Sequence, residues 1–238
     1  MKYLISIISI LICFHLPAIG QTQKVYPRNE ISKDSSLVDF VSKLKNAIDR
    51  KDKEFLIESI DSNIRLFSGV NGIKEFIRKF QPDSSNSYIW MYLNRLINLG
   101  GYFSNNNSDT LIFIFPYIHS VNPDVQPKSG GMWIPGVITE KNVLVYQERS
   151  SKSKIIDTLS YDIVSIITPP QYIENPLFYI PESAIKGWIT EWVRISTLDE
   201  TETGFVYWDK IWSPYAYSLY LNKIKGHWKI YCLTPEMF

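Results

Sequence analysis

Thiol catalysis needs a cysteine nucleophile and a histidine base within reach of each other. Beyond its leader, the chain offers one thiol, Cys232, and two imidazoles, His119 and His227. In a strand over residues 227–233, alternation puts Trp228, Ile230 and Cys232 on one face and His227, Lys229 and Tyr231 on the other. Cys232 and His227 then point apart, and Cys232 reads as a buried, inert thiol. Nothing in the sequence brings His119 to it. Two distant histidines and one cysteine give no zinc-type ligand spacing, and no D-x-D-x-D-G loop offers a calcium site. Gly130-Gly131 and Gly69-x-x-Gly72 lack the Lys-Ser/Thr of a phosphate loop and read as turns. Neither a metal nor a cofactor is expected. Asp199, Glu200 and Glu202 form an acidic turn that reads as solvated, although the carboxylate pairing of a glycosidase is spatial and stays open.

The aromatic residues carry more information. Along Trp188–Ile195, Ile189, Val193 and Ile195 fall on one face, with Trp188, Trp192 and Arg194 on the other. The next strand sets Phe205 and Tyr207 against Val206 and Trp208. Trp212, Tyr215 and Tyr217 follow. Rings of Trp and Tyr beside an arginine suit a proline-rich peptide or a sugar, because flat amphipathic side chains bind both at low entropic cost. Trp188, Trp192 and Tyr207 are therefore the candidate ligand-binding residues, with packing of the same rings in a core as the alternative. The proline-rich stretch from Pro169 to Pro181 would bound the groove.

These residues need elements to position them. Lys2, the uncharged run Tyr3–Leu16 and the small residues Ala18 and Gly20 read as a signal peptide over residues 1–20, cleaved before Gln21. The run is short for a spanning helix, and no later stretch is apolar enough to be one. Removing the leader takes Lys2 and no acidic residue, which leaves the basic and acidic counts equal. That balance argues against nucleic acid as a partner. One remaining cysteine excludes an internal disulfide. Residues 21–31 read as a flexible lead.

Residues 32–118 read as a mainly helical domain. Ser36-x-x-Asp39 suggests a capping box before Leu37, Val41, Leu44 and Ile48 at helical spacing. Asp52 caps a second helix through Phe55, Leu56 and Ile60. Ile73, Phe76, Ile77 and Phe80 form a third stripe that Pro82 ends. Ser87 opens a fourth helix, stopped at Gly100-Gly101. Residues 119–135 read as a linker. At the C-terminus, segments 217–221 and 227–233 form a β-hairpin.

The stretch Val137–Val164 reads as short strands around a polar turn, with Val143 and Val145 alternating and Ile155, Ile156, Leu159, Ile163 and Val164 buried. Its order, followed by Trp192-Val193-Arg194-Ile195 and Gly204-Phe205-Val206, resembles the bacterial SH3 (SH3b) family. The family's usual arginine after the second valine is Tyr146 here. The resemblance covers roughly residues 136–214 and implies a small β-barrel, which the C-terminal hairpin would extend to residue 238, and a role as an interaction module.

The expectation is an α+β chain: a helical N-terminal domain, then an SH3b-like small β-barrel with an extra C-terminal hairpin. The expected function is non-catalytic binding of peptide or cell-wall components by a secreted or periplasmic protein. An envelope hydrolase with a carboxylate pair between the domains, and a structural or assembly role in an envelope complex, are the alternatives.

Overall fold

A computed structural model describes residues 23–66, 69–104, 111–121, 127, 134–167 and 192–235. The expected signal peptide and the proline-rich stretch lie outside them.

The described residues form four α-helices, α1 (Ser35–Arg50), α2 (Lys53–Ser59), α3 (Ile73–Phe80) and α4 (Ile89–Asn98). Each follows its apolar stripe. α1 buries Leu37, Val41, Leu44 and Ile48, as the helical spacing requires. Its cap is Asp34 rather than Ser36: Asp34 Oδ1 accepts from the Leu37 amide at 2.9 Å. The Asp34 carboxylate also pairs with Lys223 Nζ at 2.9 Å, and Ser36 accepts from the Trp228 indole at 3.0 Å. The start of α1 is thus fastened to the C-terminal hairpin. Asp52 caps α2 by accepting from the Phe55 amide at 3.0 Å.

A five-stranded sheet lies under the helices, in the order β1-β12-β11-β3-β2. Its strands are β1 (Ile60–Leu66), β2 (Tyr102–Phe103), β3 (Ile112–Phe115), β11 (Tyr217–Ile224) and β12 (His227–Pro235). β1 runs parallel to β12. The hairpin that the sequence places on a barrel therefore completes the sheet of the helical region. Its turn, Lys225 at φ 48° and Gly226 at φ 84°, fits a two-residue connection with left-handed backbone at both positions.

The second sheet has seven antiparallel strands in the order β10-β4-β7-β8-β9-β5-β6. They are β4 (Ile134–Ile138), β5 (Val143–Tyr146), β6 (Ile155–Leu159), β7 (Ile163–Ile166), β8 (Trp192–Ser196), β9 (Thr203–Tyr207) and β10 (Ile211–Trp212). Closing a barrel requires the first and last strands to pair. Among the described residues β10 and β6 make no ladder with each other, and β10 is only two residues long. Both sheets are open. This corrects the expected SH3b-like barrel and the family resemblance with it. The local strand pattern is present, but strand order and closure are set by long-range pairing that short motifs do not encode.

The two faces of this sheet have separate fates. Ile138, Val143, Val145, Leu159, Val164, Ile166, Ile195, Val206 and Ile211 form its own apolar cluster. On the opposite face Val137, Ile163 and Trp212 join the core of the helical region. The sheet is thus docked on the helices by its β10-β4-β7 half. Arg95 of α4 fastens the joint. Its guanidinium donates to the Trp208 and Ile211 carbonyls at 2.6 and 2.5 Å and lies between the Trp208 and Trp212 rings, 4.4 and 4.6 Å from their centroids. Near the N-terminus, Lys24 pairs with the buried Asp162 at 2.8 Å.

Candidate functional site

The same outer face continues past the joint onto β8, β9 and β5, where it carries rings instead of aliphatic side chains. Cross-strand register sets Trp192 opposite Tyr207 and Arg194 opposite Phe205, and Tyr146 opposite Phe205. Their neighbours Val145 and Val206 point into the sheet's own cluster, so alternation turns these rings outward. The Trp192 and Tyr207 rings stack, with centroids 4.0 Å apart and planes at 30°. Tyr146 meets Trp192 edge-on at 5.2 Å. All three are half-buried. Leu144 and Ile155 extend the patch at 37% and 49% exposure. Arg149 lies over the Phe205 ring at 5.4 Å.

Gly204 makes this arrangement possible. A Cβ there would sit 2.7 Å from the Tyr146 carbonyl oxygen and 2.7 Å from Val145 Cγ1. Only a residue without a side chain lets β5 approach β9 that closely, and the approach brings Tyr146 to the stacked pair.

Of the three expected ligand residues, Trp192 and Tyr207 come together, and Trp188 lies outside the described residues. Trp212 and Tyr217, part of the same run of aromatics in the sequence, are buried in the helical core. Sequence reasoning missed Tyr146, Leu144 and Arg149. The signal for the first two was present: residues alternating with the buried Val143 and Val145 must face outward.

The thiol is buried as expected, at 6% exposure, but it lies on a different face of the sheet. The β11–β12 register jumps from Leu221↔Ile230 to Tyr220↔Cys232. The extra residue of this bulge, Tyr231, reverses the alternation. Trp228, Ile230 and Leu233 enter the helical core, while Cys232 is absent from it and lies beside Tyr220 on the other face. His227 shares that face. Its partner Ile224 is four positions along β11 from Tyr220, a separation of about 13 Å at the usual rise per residue. His119 reaches Tyr220, the cross-strand neighbour of Cys232: its Nε2 is 2.6 Å from the Tyr220 hydroxyl. Burial pushes the neighbouring Tyr231 phenol above its ordinary value. On the same face the fully buried Ser218 hydroxyl has no hydrogen-bond partner among the described residues.

The described carboxylates near the joint are committed to cations, Glu140 to Lys210 at 3.0 Å and Asp162 to Lys24. In the acidic turn, Asp199 accepts from Thr197 and Thr201, and those bonds lower its pKa. Among the described residues no group of three or more His, Cys, Asp or Glu could hold a metal ion, and no helix is long and apolar enough to cross a membrane. No protein-family model matches the chain, and no curated protein or solved structure matches it.

Proposed function

We propose that this chain is an exported, non-catalytic binding protein that takes a peptide or cell-envelope component on the ring platform of β5, β8 and β9. The observation that carries the reading is the stacked Trp192–Tyr207 pair with Tyr146 edge-on, half-buried on a sheet face with exposed Leu144 and Ile155 beside it. Preformed aromatic surface of this kind loses little entropy on binding. Trp, Tyr and Arg are also the residues in which binding energy concentrates. Export rests on the leader over residues 1–20.

The test is titration of the full mature chain with soluble peptidoglycan fragments and with proline-rich peptides, read by tryptophan fluorescence and ring resonances. Tyr207→Ala is the cleaner variant, since Trp192 begins its strand. If Tyr207 anchors the ligand, its loss weakens binding about thirtyfold, the equivalent of a hot-spot residue. A Tyr207→Ala protein that melts like the parent and binds equally well removes the platform from the function. So does a parent whose ring resonances no probe moves.

A further inference from the structure

Three features of the platform narrow its ligand. The first is backbone. β8 lies between β7 and β9, β9 between β8 and β5, and β5 between β9 and β6. The rings themselves therefore stand on interior strands, and the nearest sheet edge is β6, which carries Ile155, so a ligand seated on the rings does not add as a further strand. It must lie across the face and bind through side chains, as an extended proline-containing segment does without using its backbone for pairing.

The second is the apolar content. Leu144 and Ile155 flank the rings and are two of the six exposed large hydrophobic side chains among the described residues. Aliphatic side chains match an apolar anchor better than they match the hydroxyls of a sugar, which need amides and carboxylates that both give and take hydrogen bonds.

The third is charge. Arg194 stands opposite Phe205 and Arg149 lies over the same ring. Both are exposed, and neither forms an ion pair among the described residues. The β5–β6 turn over residues 147–154 adds Lys152 and Lys154 against one carboxylate, Glu148. The acidic turn with Asp199, Glu200 and Glu202 lies at the other end of the β8–β9 hairpin, beyond the Ser196–Thr203 pair. Cation-rich surface beside rings is complementary to a carboxylate-bearing partner.

We propose that the platform recognises an acidic, proline-containing peptide segment of a partner protein, with an apolar side chain on the rings and carboxylates on Arg149 and Arg194. The inference rests on the binding reading above. It can be tested separately with synthetic peptides of four tandem Glu-Pro-Leu repeats and of four Gln-Pro-Leu repeats, and with a neutral N-acetylglucosamine oligomer. The glutamate peptide is expected to bind about tenfold more tightly than the glutamine peptide at low ionic strength, as two exposed ion pairs allow. The gap should close at about 0.5 M salt, where the Debye length falls to a few ångströms. The double variant Arg149→Gln, Arg194→Gln should erase the gap in a protein that its melting curve shows to be folded. Equal binding of the two peptides, or a gap that survives in the double variant, overturns the charge assignment. Tighter binding of the sugar oligomer than of either peptide overturns the peptide assignment. In these cases the ring platform itself still stands if Tyr207→Ala weakens whatever binds. Failure of every probe to bind or to move a ring resonance overturns both.

Discussion

Replacing Arg95 by methionine removes the guanidinium at the joint and keeps an unbranched side chain of similar length. The parent side chain donates two hydrogen bonds to carbonyls, each worth about 1.5–3 kcal/mol for a charged donor. It also stacks on two tryptophan rings, each worth about 0.5–1 kcal/mol. The gross loss is therefore about 4–8 kcal/mol. Against it stands the cost of burying the charge, several kcal/mol, which the variant recovers. Arg95 is partly buried, and desolvation pushes its pKa down to about 10, although the nearby Asp209 opposes it. The group stays charged at neutral pH. The net expectation is a destabilisation of about 2–4 kcal/mol, because the Trp208 and Ile211 carbonyls are left without their donor. For a chain of this size that corresponds to a fall in melting temperature of about 5–15 °C. Urea unfolding followed by tryptophan fluorescence and by calorimetry measures it. Arg95→Lys should show at least half the loss, since an ammonium cannot stack between two rings while forking to two carbonyls. An Arg95→Met protein as stable as the parent, or more stable, would mean that desolvation outweighs the contacts and that the joint is held by apolar packing alone.

Gly204→Ala forces its Cβ against a backbone oxygen at 2.7 Å, so β5 must move from β9. A loss of about 1–3 kcal/mol is expected, together with a changed environment of Trp192 as Tyr146 withdraws. Urea unfolding and the Trp192 indole resonance report both, and an unshifted resonance would argue that β5 does not position the platform. Glu30 supplies a pH-dependent contribution. Burial alone would raise its pKa, but hydrogen bonds from Lys33, the Phe103 amide and Arg28 outweigh this and hold it at about 2 against an ordinary 4.5. A carboxylate with a depressed folded pKa contributes stability that is present above its unfolded value and lost as pH falls. The stability difference between the parent and Glu30→Gln should therefore shrink as pH drops from 4.5 towards 2. A difference that stays constant over that window means Glu30 acts through packing.

What the sequence determined by itself is local. The apolar stripes of α1 to α4, the Asp52 cap, the strands β5 to β9 and the outward turn of Trp192 and Tyr207 follow from periodicity and capping chemistry, which act over a few residues. Tertiary structure decided the rest. The hairpin of β11 and β12 has two suitable partners by pattern, and only the long-range pairing with β1 and β3 assigns it to the helical sheet. The resemblance to a closed barrel failed for the same reason: β4 to β10 have the right local order, while closure depends on which edges meet. One inserted residue at Tyr231 was enough to turn the buried Cys232 to the face away from the helices, because alternation has period two and carries no memory of a bulge. The cations of the platform show the division most clearly. Parity placed Arg194 beside Trp192, but Arg149 sits in a turn, where no period operates. The pairing of β5 with β9, Tyr146 opposite Phe205, brings that turn alongside the Phe205 ring.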